Sequence, residues 1–197
     1  MKKFLIAGLG NVGNEYTNTR HNIGFNIADA FVESLQKEEL LIPAEKIFSA
    51  EKLAFKTETK YRGKTVVIIK PTTYMNLSGK AVNYWMQAEK ISPENILVIA
   101  DDLALPFGIL RLKKKGGAGG HSGLTDIITS LKTEEFPRLR FGIGNDFSKG
   151  KQADYVLDKW SSDEEKLLAV RIEKSVLLIK SFLAAGIERA MSDHNNR

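Results

Sequence analysis

Apolar runs of strand length alternate with segments of helical spacing along these 197 residues, and that alternation narrows the fold more than any other feature. "KKFLIAGLG" (2–10) reads as a mostly buried strand ended by glycines. "NILVIADD" (95–102) reads as another, with its two carboxylates at the C-terminal end. Between them, Ile23, Ile27, Ala30, Phe31 and Leu35 recur at helical spacing. "LAFKTETKYRGKTVVIIKP" alternates, turns at Arg62-Gly63 and then runs apolar, which predicts a hairpin. "NLSGKAVNYWMQAEK" (76–90) predicts a second helix starting near Asn76 or Ser78. "GILRLKKK" (108–115) predicts a basic strand, followed by the glycine stretch 116–123 and a short helix to about Leu131. "RLRFGIG" (138–144) predicts a further strand. One long helix is expected over 163–191, with Leu168, Ile172, Val176, Ile179, Leu183 and Ile187 on one face.

Interleaved strands and helices place the chain in the α/β class. The expectation is a single domain over 1–197, with a mixed, mostly parallel central β-sheet flanked by helices. No internal repeat or long linker divides it. Open α/β sheets bind ligands beyond the carboxyl ends of their strands. Asn11 and His21 follow the first strand, Asp101 ends another, and His121 sits in a loop, so these residues are the first candidates for a site.

The chain has no cysteine, which excludes a disulfide framework, a thiolate nucleophile and Cys-based zinc sites. The amino end has two lysines before an apolar run, but the run breaks at Gly10-Asn11, too early for a signal peptide. No apolar stretch approaches ~18 residues, so no membrane span is expected. A formal net charge of +5 is the footprint of a nucleic-acid binder, though a solvated basic surface gives the same number.

Two glycine motifs invite misreading. "GLGNVG" (8–13) matches the dinucleotide fingerprint, yet the third glycine is followed by "NEYTNTRHN" and not by a helix. No acidic residue ends a second strand about 20 residues on, because Glu33 falls inside a predicted helix. A tight turn at a sheet edge that places Asn11 at a site is the better account. "GGAGGHSG" lacks the Gly-Lys-Ser/Thr ending of a P-loop, and Leu124 takes the last glycine position of a nucleophile elbow. A loop that lets backbone approach a ligand and presents His121 fits better than a Ser122 nucleophile.

The histidines are His21, His121 and His194, the last in a polar tail. Their spacing suggests no metal site. His21 alone reads as readily as a capping or surface histidine, and Asp101 alone as a strand-end carboxylate. Together they suit general-base catalysis, in which a buried Asp fixes one tautomer and raises basicity. The basic cluster Arg111, Lys113, Lys114, Lys115, with Arg138 and Arg140 on a later strand, reads either as a guarded edge strand or as a phosphate clamp beside the glycine loop.

The segments "LIAGLGNVG", "YTNTRHNIGF", "KPTTYMNLSG", "ILVIADDLALPFGILRLKKKGGAGGHSGL" and "FPRLRFGIG" together resemble bacterial peptidyl-tRNA hydrolases over nearly the whole chain. The resemblance implies hydrolysis of the ester between a peptide and the 3′-terminal ribose of tRNA, without metal or cofactor. It implies His21 as the catalytic base, Asp101 as the carboxylate that orients it, and Asn11 and Asn76 as catalytic amides, either of which could serve the oxyanion. Tyr16 would bind substrate or tRNA, Met75 and Asn76 peptide and ester, His121 with Ser122 the substrate's 3′ end, and Lys113 with Arg140 the tRNA 5′ phosphate. The expected partner is peptidyl-tRNA and no membrane, the expected place the cytoplasm, and the expected state a monomer. Three positions depart from the usual pattern: Ser122 replaces an asparagine, Val12 a proline, and Ala104 a frequent second acid. The rival readings are a non-catalytic RNA-binding member of the same fold and a serine hydrolase using Ser122. Asn22 reads as a helix cap or as a ligand contact.

Overall fold

The computed structural model of the protein describes residues 2–39 and 48–195. Among them, seven strands form one sheet: β1 (Lys3–Gly8), β2 (Ser49–Glu51), β3 (Ala54–Tyr61), β4 (Lys64–Pro71), β5 (Ile96–Asp102), β6 (Leu110–Lys113) and β7 (Arg138–Gly142). Their order is β2-β3-β4-β1-β5-β7-β6. The four central strands run parallel, and β3 and β6 pair antiparallel on the two sides. The mixed, mostly parallel sheet expected from the pattern is present.

Every residue of β5 is buried, and so are five of the six in β1. This matches their unbroken apolar runs, since central parallel strands are covered on both faces. The cover comes from six helices among the described residues: α1 (Ile23–Glu39), α2 (Ser78–Ala88), α3 (Ser122–Leu131), α4 (Gln152–Leu157), α5 (Ser162–Ala185) and α6 (Ile187–His194). Ile27, Phe31, Ile179 and Phe182 from α1 and α5 pack with Phe4, Ile6, Ile68 and Phe141 on one face. Val82, Trp85, Leu124 and Ile127 from α2 and α3 pack with Leu5, Val67 and Val98 on the other.

The hairpin turns where expected. Arg62 (φ 46°) and Gly63 (φ 72°) both adopt positive φ, as a two-residue turn between twisted strands requires. The second helix begins at Ser78, after a 3-10 turn over Met75–Leu77. Three expectations change. The turn after β1 does not lie at a side edge, because β1 is the middle strand and its carboxyl end opens at the sheet's centre. The long C-terminal helix breaks at Gly186 (φ 84°), a backbone state that favours glycine, so α5 and α6 are separate. Arg138 belongs to no clamp: it is buried at 1% exposure and its guanidinium donates to the carbonyls of Gly116, Gly117 and Glu134. Burial pushes it down to about 10.

The glycines of "GLG" and "HNIGF" serve packing. A Cβ on Gly24 would lie 2.4 Å from both the N and the O of Leu9, and one on Gly8 2.3 Å from the Gly24 carbonyl oxygen. Their absence lets α1 start directly against the end of β1, which carries the turn before it, and so His21, to the sheet's carboxyl end. At the far side, β6 is an edge strand whose outward backbone is met by the Asn195 side chain. Leu112 N donates to Asn195 Oδ1 at 2.8 Å, and Asn195 Nδ2 donates to Leu112 O at 2.8 Å.

Candidate active site

The loops after β1, β4 and β5 converge beyond the carboxyl end of the sheet. Asn11, just past β1, is 8% exposed and tied down on three sides. Its N–H donates to Asn22 Oδ1 at 2.8 Å, its carbonyl accepts from Asn22 Nδ2 at 2.9 Å, and its side-chain Oδ1 accepts from Met75 N at 2.8 Å. Asn22 is thus neither cap nor ligand contact. It binds the Asn11 backbone in both directions and locks the turn that holds His21. With Oδ1 engaged, Asn11 Nδ2 remains a donor without a partner among the described residues.

His21 lies in the 3-10 turn Arg20–Asn22 that leads into α1. Its Nδ1 sits 2.8 Å from Asp101 Oδ1 at the end of β5. His121 Nε2 lies 3.0 Å from the same oxygen. His121 is also the N-cap of α3, where its Nδ1 accepts from Leu124 N at 3.2 Å. The two rings are tilted with centroids 5.0 Å apart. Burial opposes ionisation of Asp101, but the two histidines, His121 first, outweigh it and hold the carboxyl well below the usual carboxylate range. The carboxylate is an acceptor, so both histidine nitrogens facing it donate. The proton assignments follow: Nδ1–H on His21 and Nε2–H on His121.

These residues floor a cleft of about 830 Å³. Met75 and Asn76 line one side, with Asn76 exposed on its 3-10 turn. Gly119, Gly120 and Ser122 line another, and Arg140 stands beside them. Leu103, Phe147, Val156 and Leu157 give the remaining wall an apolar surface. His21, Asp101 and His121 also form the one His/carboxylate group of metal-holding proximity among the described residues, with ligand atoms within 4.8 Å of one another.

Comparison with known proteins accords with this arrangement. The sequence model of the family described as peptidyl-tRNA hydrolase matches residues 5–197. The chain is 49% identical over 195 residues to a peptidyl-tRNA hydrolase of Cytophaga hutchinsonii, covering 99% of each. It is 46% identical over 195 residues to that of Phocaeicola vulgatus, covering 99% of this chain and all of the other. The chain belongs to the peptidyl-tRNA hydrolase family. A crystal structure of peptidyl-tRNA hydrolase from Acinetobacter baumannii superposes with a TM-score of 0.85 at 36% identity, covering 98% of this chain and 94% of that one.

Against what the peptidyl-tRNA hydrolase resemblance implies, the fold gathers Asn11, His21, Met75, Asn76 and Asp101 around one cleft, with His121, Ser122 and Arg140 on its glycine-loop side. Tyr16 and Lys113 do not line it. Tyr16 is half-buried in the turn Asn14–Tyr16, where its carbonyl accepts from the Thr19 hydroxyl at 2.9 Å. Lys113 is exposed on β6. It nevertheless shares a sheet face with Arg140, because the register sets Lys113 opposite Arg138 and Arg111 opposite Arg140. Ser122 opens α3 with its hydroxyl bonded to neither histidine. His194 ends α6, away from the cleft.

Three contributors escaped the sequence reading. Asp102 forms a close ion pair with Arg140 Nε and accepts from Ala104 N at 2.9 Å, so the neighbouring acid faces the arginine while position 104 itself carries no charge. Asn22, which reads from sequence as cap or ligand contact, instead braces the Asn11 backbone. The wall from Phe147 to Leu157 includes α4, whose apolar pair Val156-Leu157 between polar neighbours was the available signal for a short amphipathic element.

Proposed function

We propose that this chain hydrolyses the ester bond joining a peptide to the 3′-terminal ribose of tRNA, with His21 as the general base. The observation that carries the reading is the hydrogen bond from His21 Nδ1 to buried Asp101, which leaves Nε2 without a partner among the described residues, beside the cleft. The Asp101 carboxylate fixes the tautomer with Nε2 bare and stabilises the imidazolium as it forms. A water between Nε2 and the ester carbonyl gives up its proton to Nε2 as it attacks. Help of this kind contributes roughly 10²–10⁴-fold. An activated ester whose leaving group is the ribose oxygen needs no covalent nucleophile. The proton on Nε2 then passes to the departing ribose oxygen, which returns His21 to its neutral form.

Negative charge develops on the carbonyl oxygen during attack. Asn11 Nδ2 suits it best, because Met75 N holds the other end of that amide and fixes its direction. Loss of one such donor typically costs ~10²–10³ in turnover. Asn76, exposed and without comparable anchoring, fits a contact to peptide or ribose. Tyr16 and Ser122 belong to the outer substrate surface in this reading. Arg140 in the cleft and Lys113 on the same sheet face supply affinity for the tRNA acceptor end and its 5′ phosphate, without reading sequence. The enzyme would act as a monomer in the cytoplasm, on peptidyl-tRNA alone, without metal or cofactor.

The test is release of peptide from an N-blocked aminoacyl-tRNA by the purified protein, with and without EDTA. His21→Ala should lower turnover at least ~10²-fold while tRNA binding persists. A His21→Ala protein that keeps most of its turnover overturns the assignment. Binding of tRNA with no peptide release by the unaltered protein would favour the non-catalytic RNA-binding alternative.

A further inference from the structure

We infer that His121 is a positioning residue for the base, acting through Asp101, and not a hydrogen-bonding contact to the substrate's 3′ end. The inference rests on His21 being the general base.

A neutral imidazole has one donor and one acceptor. His121 Nδ1 faces the Leu124 N–H at 3.2 Å, and a backbone N–H can only donate, so Nδ1 is the acceptor. Nε2 is then the donor, and it meets Asp101 Oδ1 at 3.0 Å. Both polar atoms of the ring are spent on the protein, and the side chain is 7% exposed. No ring nitrogen remains for a substrate. His21 differs in the one respect that matters: its Nδ1 is spent on Asp101 and its Nε2 is not.

The shared oxygen gives His121 its effect on the base. Asp101 Oδ1 accepts from both histidines, so its charge is divided between two donors. Removing the His121 donor concentrates that charge on His21 Nδ1–H, which favours imidazolium and leaves less free base at low pH. It also frees the carboxylate to rotate, so His21 is aimed less well at the water and turnover falls. The N-cap bond to Leu124 fixes the His121 ring to the first turn of α3, so a rigid helix holds the carboxylate that holds the base.

The other charged groups near this cluster are paired or stand at its rim. In the cleft, Asp102 and Arg140 pair with each other, and Lys149 lines the outer rim. Behind the His21 turn, Arg20 pairs with Glu164, and the Tyr155 hydroxyl donates to the Ile143 carbonyl. On α4, Asp154 pairs with Lys151 at the surface, and on α3, Asp126 accepts from Gly79 N.

Two substitutions separate the ring's two functions. In His121→Asn, the side-chain oxygen overlays Nδ1 and keeps the helix cap, but nothing reaches Asp101. In His121→Gln, the amide nitrogen overlays Nε2 and keeps the donor to Asp101. The expected result for His121→Asn is a kcat about 10-fold lower, an unchanged KM, and an acid limb of the kcat profile moved up by about half to one pH unit. His121→Gln should recover most of the turnover and return the limb to its original position. A His121→Asn protein with raised KM and an unmoved acid limb overturns the inference in favour of substrate contact. Absence of any acid limb in the unaltered protein overturns the general-base reading itself. A measurement on the unaltered protein needs no variant to fold: ¹⁵N spectra should show His121 protonated at Nε2 and bare at Nδ1 near neutral pH. The opposite tautomer overturns the inference.

Discussion

Arg20 Nη2 donates to Glu164 Oε2 at 2.7 Å, and that ion pair fastens the turn carrying His21 to the first turn of α5. Both side chains are largely buried, at 9% and 15% exposure. Arg20 Nη1 also donates to the Lys159 carbonyl at 2.7 Å, and the guanidinium lies 4.3 Å from the Tyr155 ring centroid. Glu164 meanwhile completes a capping box with Ser161. Removing one partner of a buried pair strands the other charge and costs about 3–5 kcal/mol. Glu164→Ala should therefore lower stability by about 3 kcal/mol in urea titration and reduce kcat by loosening the His21 turn. Glu164→Gln, which keeps an acceptor, should cost less on both counts. Equal effects of the two substitutions would show that the pair does not restrain the turn.

Asp101 links stability to pH with a definite sign. Its folded carboxyl titrates below the unfolded value of about 3.9, so the stability it contributes is complete above that value. The contribution is lost only as pH falls below about 4, through the folded pKa. Unfolding free energy measured against pH should fall more steeply below pH 4 in the unaltered protein than in Asp101→Asn. The variant should also lose at least ~10² in turnover, since the orienting charge is gone. Parallel acid limbs of stability would refute the linkage.

Lys113 and Arg140 should act on binding and not on chemistry. Lys113→Ala combined with Arg140→Ala should raise KM about 10-fold or more and reduce the slope of log affinity against log salt by about 1. Asp102→Ala, which removes the carboxylate paired with Arg140, should raise KM in the same direction by releasing the guanidinium from its fixed pose. Fluorescence titration with tRNA at several salt concentrations reads both effects. Unchanged slopes would remove these residues from the tRNA surface.

Gly24→Ala should be among the most damaging single changes outside the cleft. The new Cβ would fall 2.4 Å from two backbone atoms of Leu9 and 2.6 Å from the Ile99 carbonyl oxygen, none of which is a movable side-chain end. A cost of about 3 kcal/mol or more follows, equivalent to a Tm drop of roughly 6 °C or more in a chain of this size. A thermal melt with unchanged Tm would mean that α1 can shift away from β1 freely.

Ser122→Ala should keep turnover within a few fold, because the hydroxyl has no histidine partner to activate it. An alkyl phosphonate probe should leave the protein unlabelled. Labelling at Ser122, or a loss of activity comparable to that of His21→Ala, would restore the nucleophile reading.

Strand identity was legible because β1 and β5 are buried on both faces and carry unbroken apolar runs. The hairpin was legible because Arg62-Gly63 supplies the positive φ angles its turn needs. Helix ends were harder. The continuous apolar face from Leu168 to Ile187 concealed the break at Gly186, where backbone conformation overrides periodicity. Side-chain roles within one charge class were harder still. Arg138 and Arg140 sit two residues apart on one strand face, yet the first is sealed under the glycine loop and the second opens to the cleft. What separates them is the loop that crosses above, and spacing along a strand carries no record of it. The pairing of Asn22 with the Asn11 backbone lies beyond sequence reading for the same reason: eleven residues part the two, and only the close start of α1 on β1 brings them together.

The side-chain amide of Asn195 acts as a one-residue strand. By accepting from Leu112 N and donating to Leu112 O, it occupies the hydrogen-bonding positions that another chain's backbone would take on the open side of β6. An edge strand left bare is a template for intermolecular pairing. The kink at Gly186 separates α6 from α5 and α6 delivers Asn195 to that edge, so a glycine nine positions upstream helps close it to strand pairing.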